Sequence, residues 1–222
     1  MQKFTKTTRT LAALLVSGTA LTGVASAAEV SANFGVTSDY IWRGLTQNGG
    51  LTSASGGLDV DYGNGFAAGI WVGDVTAAGG NGTVATQELD YYASYSGESG
   101  SLSYELGYIG YTYDADDLDF SDIYVSVGSG PFSLTYYHLL DGGDTGVDDG
   151  EANYVSVDYE TELSEMGLTL HYGSWMGDAT DDQTDISATL SKGDFSISYI
   201  TTEDHTGVDD ENRMVVSWGV SF

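Results

Sequence analysis

The sequence predicts an all-β fold: a transmembrane antiparallel up-and-down β-barrel of about twelve strands, built as a single domain over residues 28–222. Three observations predict it. From Val30 onward, twelve runs alternate apolar residues with small or polar ones at the two-residue period of a strand. The links between these runs are alternately short and long, which a barrel with tight turns on one rim and larger loops on the other requires and a soluble sandwich does not. Finally, no stretch approaches the roughly 20 continuous apolar residues of a membrane-spanning helix, so a membrane role would fall to strands.

The first 27 residues form a cleavable secretory signal peptide. Lys3, Lys6 and Arg9 precede an apolar core at Leu11 to Val16, and Ala25-Ser26-Ala27 supplies the small-x-small cleavage site. Removing 27 residues from 222 leaves 195. Shared among twelve strands, that is enough for membrane strands of about 9–11 residues with their links. The chain has no Cys, which excludes a disulfide framework and a thiolate metal site. Its single proline, Pro131, falls in a short link, where it removes no ladder hydrogen bond.

Six basic residues face 33 acidic ones, and losing the three in the leader takes the net charge from −27 to −30. Nucleic acid is excluded as a partner, because binding it requires a positive surface that releases counterions. Cationic solutes or divalent ions suit such acidity, as does a simply solvated surface.

The short links are Gly63 to Gly65, Ser96 to Ser101, Ser129 to Pro131, Glu162 to Gly167 and Lys192 to Asp194. The long ones are Ile41 to Thr52, Thr76 to Thr86, Asp114 to Asp119, Asp141 to Ala152, Met176 to Thr184 and Glu203 to Arg213. Between them, bulky residues share one face of each strand. Ile123, Val125 and Val127 alternate with Tyr124, Ser126 and Gly128; Phe132, Leu134 and Tyr136 alternate with Ser133 and Thr135. Leu168, Leu170 and Tyr172 alternate with Thr169, His171 and Gly173, and Phe195, Ile197 and Tyr199 with Ser196 and Ser198. The last run is the clearest, with Met214, Val216, Trp218, Val220 and Phe222 against Val215, Ser217, Gly219 and Ser221.

Asp59, Asp61, Glu88, Asp90, Glu105 and Asp158 lie mid-strand on the face of small residues. A dry core could not hold them unpaired, and few basic partners exist. That face therefore encloses water, and the bulky face meets lipid. Tyr40, Tyr62, Tyr95, Tyr104, Tyr113 and Tyr159 fall near strand ends, where tyrosine rings form interfacial girdles.

The segment Ser38-Asp39-Tyr40-Ile41-Trp42-Arg43-Gly44-Leu45-Thr46-Gln47 resembles the opening signature of the TorF porin family, formerly described as a bacterial family of unknown function, Gcw_chp. Similar blocks follow in order: Gly56 to Asp59, Gly65 to Trp71, Glu88 to Tyr92, Tyr95 to Gly97, Gly107 to Tyr113 and Asp122 to Tyr124. Asp114 departs from the pattern, which has Pro and Gly in that loop. The resemblance implies a porin-like barrel in the outer membrane of a Gram-negative bacterium and supplies no substrate.

Arg43 is one of three basic residues outside the leader. Either its guanidinium faces the carboxylates of a pore mouth, or it pairs Asp39 or Glu88 and holds the first long loop folded; the second is favoured. Four long loops are dense in acid: 114–119, 141–151, 178–185 and 203–211. Two of them share Thr-Gly-Val-Asp-Asp, so Asp148, Asp149, Asp209 and Asp210 are the residues expected to gather loosely bound Ca²⁺ or Mg²⁺ and bridge to lipopolysaccharide. Neither loop has the spacing of a specific calcium motif.

The expected function is passive diffusion of small hydrophilic, preferably cationic solutes through a narrow lumen lined by the six carboxylates and Arg43. No enzyme and no dedicated cofactor are expected. Two rivals stand beside it. One is a non-conducting structural or binding barrel plugged by inward side chains such as Trp71, Tyr92 and Tyr124. The other, less favoured, is an outer-membrane hydrolase using His138 and His205. A soluble periplasmic β protein is a further alternative. Phe222, closing the last alternating strand, is the expected signal for the barrel-insertion machinery.

Overall fold

The computed structural model describes residues 28–78, 84–115, 118–143, 145–178, 180, 183–203 and 211–222. The leader thus lies outside the described residues, as do His205, Asp209 and Asp210.

All regular structure is strand. In chain order the elements are β1 (Glu29–Thr37), β2 (Ile41–Trp42), β3 (Leu45–Thr46), β4 (Ser53–Asp61), β5 (Phe66–Ala78), β6 (Val84–Ser99) and β7 (Leu102–Tyr113). They continue with β8 (Phe120–Ser129), β9 (Phe132–Asp141), β10 (Asn153–Leu163), β11 (Met166–Met176), β12 (Thr184–Lys192), β13 (Phe195–Glu203) and β14 (Glu211–Ser221). β1 and β4 to β14 pair antiparallel with their chain neighbours, and β1 pairs with β14 to close a twelve-stranded barrel. Closure leaves no strand edge unpaired.

Four of the five short links are two-residue turns, flanked by the pairs Ser99↔Leu102, Ser129↔Phe132, Leu163↔Met166 and Lys192↔Phe195. Strands therefore run further into these links than hydropathy alone indicated. The same holds at the long-loop rim, where the link expected over Thr76 to Thr86 is largely taken up by β5 and β6. Its pairing passes through a register shift between Asp74 and Ala77.

The orientation of the wall follows the alternation. Leu58, Ile70, Leu106, Val125, Leu134, Leu170, Ile186, Ile197 and Val216 point outward and are exposed. Glu88, Asp90, Glu105, Asp122, Thr135, Ser156, Asp158, Asp185, Thr202 and Ser217 point inward and are buried. This inverts the arrangement of a soluble barrel.

Tyr62, Tyr95 and Tyr104 are exposed on the outer wall toward the short-turn rim. There Phe66 lies tilted beside Tyr95 with ring centroids 4.9 Å apart, Tyr95 beside Tyr104 at 6.5 Å and Phe132 beside Tyr159 at 5.0 Å. Tyr40 and Tyr113 do not belong to a girdle. Tyr40 is buried in the first loop, and Tyr113 turns inward to Glu88; proximity to a strand end does not fix which face a ring takes.

Glycine on one strand makes room for tyrosine on the next. A Cβ at Gly69 would lie 2.5 Å from the Tyr92 ring, and one at Gly107 would lie 2.3 Å from the Tyr124 ring. These tyrosines therefore lie along the inner wall. Gly107→Val should expel Tyr124 from that groove and break its bond to Glu105, lowering stability by about 1–3 kcal/mol; the midpoint of urea unfolding in detergent measures it.

Candidate functional site

The first long loop, residues 38–52, turns into the barrel. Its centre is the hairpin of β2 and β3, in which Ile41 pairs Thr46 and Trp42 pairs Leu45. The two residues between them, Arg43 (φ 48) and Gly44 (φ 83), both have positive φ. This is the tight turn that matches strand twist, and at its first position Asn, Asp or Gly is the usual choice. Arg43 in that conformation is held by its surroundings.

The surroundings are extensive. Arg43 Nη2 donates to Asp122 Oδ2 at 2.6 Å and to the Tyr111 hydroxyl at 3.3 Å. Its guanidinium carbon sits 4.3 Å from the Trp42 ring centroid and 4.1 Å from that of Tyr137, with Tyr154 and Trp175 each at 5.4 Å. Burial opposes its charge, but Tyr111 and Asp122 more than offset this and keep it protonated beyond its already high range. Trp175 Nε1 donates to the Arg43 carbonyl at 3.0 Å, and Thr202 Oγ1 donates to the Gly44 carbonyl at 2.8 Å. The base of the loop is fixed by Arg213 Nη1 donating to Asp39 Oδ2 at 2.8 Å, while Asp39 Oδ1 accepts from Thr46 Oγ1 at 2.6 Å. Thr76 N donates to the Gln47 carbonyl at 2.7 Å.

Arg43 therefore does hold the loop folded, but through Asp122 and not through Asp39 or Glu88. Asp39 is engaged by Arg213, on the opposite end of the chain. A two-residue turn carries Arg43 away from Asp39 and deep into the lumen, where the inward position of β8 meets it.

The predicted carboxylates separate into four places. Glu88 and Asp90 are buried on β6 behind the first loop. Asp59 and Glu105 lie nearer the short-turn rim: Asp59 accepts from the Tyr92 hydroxyl at 2.5 Å and from Asn33 Nδ2 at 3.1 Å, and Glu105 accepts from the Tyr124 hydroxyl. Asp158 belongs to a cluster on β10 to β12. Asp61, at the end of β4, accepts from the Gly63 amide at 2.7 Å and shapes a turn.

That cluster adds residues the hydropathy pattern left unassigned. His171 Nδ1 lies 2.7 Å from Asp158 Oδ1 and His171 Nε2 lies 3.0 Å from Asp185 Oδ1. The Tyr154 hydroxyl donates to Asp185 Oδ2 at 2.9 Å and lies 2.9 Å from His171 Nε2. A ring donating from both nitrogens satisfies this arrangement. Asp185 belongs to strand β12 and is buried, not to the acidic loop in which its neighbours place it. His138, the other described histidine, has Nδ1 2.7 Å from Asn153 Oδ1.

In the loops, Asp148 and Asp149 are exposed, and Asp149 Oδ1 accepts from the Gly142 amide at 3.1 Å. Among the described residues, no group of three or more His, Cys, Asp or Glu stands arranged around a metal position.

The barrel is similar to solved structures of a KdgM porin. One covers 86% of this chain and 98% of its own, with a TM-score of 0.53 at 11% identity. Another, described as KdgM porin in complex with disordered oligogalacturonate, covers 87% and 97%, with a TM-score of 0.51 at 11% identity. At such identity the likeness is one of fold. No curated protein matches the chain. The sequence profile described as bacterial protein of unknown function (Gcw_chp) matches residues 21–218, and the chain belongs to that family.

Proposed function

We propose that this chain is a porin-like channel of the Gram-negative outer membrane, passing small hydrophilic solutes with a preference for cations. The observation that carries the proposal is the inverted wall: exposed aliphatic residues outside, carboxylates and hydroxyls inside. Hydrocarbon is the solvent that suits the first, and water the second. The KdgM likeness supports the barrel architecture. An oligogalacturonate, bound by one of those porins, is a polyanion, whereas this lumen presents Asp59, Glu105 and Asp158; a neutral or cationic solute suits it better. In this scheme residues 1–27 direct export, exposed Phe222 is presented to the insertion machinery, and the acidic loops attract divalent ions beside lipopolysaccharide. His171 and His138 are both engaged by neighbouring side chains, an arrangement that favours a structural role over hydrolysis.

The hairpin tip at Arg43 and Gly44 sets the constriction. A second reading, a barrel closed to solutes, is favoured by one specific observation: Trp42 and Arg43 pack together against Tyr111, Tyr137, Tyr154 and Trp175 across the interior. The plug then comes from the first loop, with Trp71, Tyr92 and Tyr124 as wall.

Planar-bilayer recording separates the two. The wild type should show small single-channel currents with a reversal potential favouring K⁺ over Cl⁻, and neutralising Asp59, Glu105 and Asp158 together should move that potential toward zero. Arg43→Ala should raise the conductance several-fold by releasing the hairpin. Silent wild type with a conducting Arg43→Ala supports the closed barrel; anion preference, or silence in both, overturns the channel. The lipid-facing assignment has its own test. Leu170→Arg should cost about 2–4 kcal/mol in folding into liposomes if this position lies near the bilayer midplane, and Thr169→Arg, on the wet face, much less.

A further inference from the structure

Glu88 and Asp90 stand two residues apart on the inner face of β6, covered by the first loop. Glu88 is 2% exposed and Asp90 0%. The Tyr113 hydroxyl donates to Glu88 Oε1 at 3.1 Å, but Glu88 Oε2 and both carboxyl oxygens of Asp90 have no hydrogen-bond partner. Tyr40 is 9% exposed, and its hydroxyl lies beside Glu88 and has no partner in strict hydrogen-bonding geometry. Four buried oxygens without a hydrogen-bond partner, two of them belonging to one carboxyl group, thus belong to three neighbouring side chains beneath the first loop.

No basic side chain of the described residues is left to balance them. Arg43 is paired with Asp122, Arg213 with Asp39 and Glu211, and His171 lies between Asp158 and Asp185. Lys192 is near Glu165 at the short-turn rim, and His138 is beside Asn153. Sealing two carboxylates without counter-charge is costly. Among the described residues nothing supplies the balancing charge, so a bound cation is the partner that fits.

The donor set is oxygen only, which selects a hard cation. One divalent ion balances both carboxylates. Ca²⁺ tolerates the irregular geometry of a carboxylate pair, a phenol and water better than Mg²⁺, which demands a near-ideal octahedron. We propose that Glu88 and Asp90 bind a single Ca²⁺ beneath Tyr40, with the Tyr40 hydroxyl and water completing its sphere, and that this ion fastens the first loop to β6. The site requires no conduction, so its test stands apart from that of the channel.

The probe is Tb³⁺ added to the detergent-folded full chain, with tyrosine- and tryptophan-sensitised luminescence as the readout and Ca²⁺ as competitor. Wild type should show one saturable site per chain, displaced by Ca²⁺, above a weak background from the exposed loops. Asp148→Asn with Asp149→Asn should leave it intact, and Glu88→Gln with Asp90→Asn should abolish it. Heat-modifiable migration on a gel reports whether each variant is folded. If the double variant does not fold, Glu88→Gln alone should weaken binding at least about tenfold, since carboxylate count tunes calcium affinity over decades. Tyr40→Phe should weaken it less. A wild type with no saturable site overturns the proposal and leaves protons as the balancing charge. A site that survives Glu88→Gln with Asp90→Asn overturns it also.

Discussion

The scarcity of positive charge inside the barrel governs the rest of the molecule. Beyond residue 27 the chain has three Lys and Arg residues, and two of them, Arg43 and Arg213, are paired with carboxylates of the interior, Asp122 and Asp39. His171 serves a second pair, Asp158 and Asp185. Each pairing is also a structural tie: Arg43 draws a loop inward, Arg213 holds the base of that loop to the last strand, and His171 links three strands. Other inward carboxylates make do with neutral phenols, as Asp59 does with Tyr92 and Glu105 with Tyr124. Asp90 is left with neither kind of partner, and Glu88 with the Tyr113 phenol on one oxygen alone.

The tyrosine–carboxylate pairs explain the composition. A phenol donates one hydrogen bond without adding charge, so it satisfies a carboxyl oxygen and brings no counter-charge with it. Its ring needs space along the wall, and glycine on the adjacent strand provides it, as at Gly69 under Tyr92 and Gly107 under Tyr124. The abundance of glycine and tyrosine in this chain, 31 and 16 residues, is therefore partly one feature, since several of the residues work as pairs across strands.

Strand number, strand order and the sidedness of the wall were legible in the sequence because each depends on a local, two-residue period. Phe195, Ile197 and Tyr199 state their face with no help from distant residues. The inward position of Asp59, Glu88, Asp90, Glu105 and Asp158 was legible for the same reason. The destination of the first loop was not. Nothing local says that Arg43 meets Asp122, 79 residues away, or that Trp175 reaches the Arg43 carbonyl, since these contacts exist only once the sheet has closed. Asp185 was obscured differently: it follows a run of acids, and composition placed it in a loop that ends two residues too late. The Arg43-Gly44 dipeptide did carry a usable signal. Between two short β-branched or aromatic pairs, X-Gly marks a two-residue hairpin, and a hairpin inside a long loop has to rest against something.

The partners of that hairpin come from β7 to β11 and from β13, and the loop's base is held from β14, while the hairpin itself follows directly after β1. During assembly, therefore, the chain segment made first has to wait for the segments made last. The tip has nowhere to rest until β1 and β14 have joined and the far wall stands opposite it. Seating of the loop marks a finished cylinder.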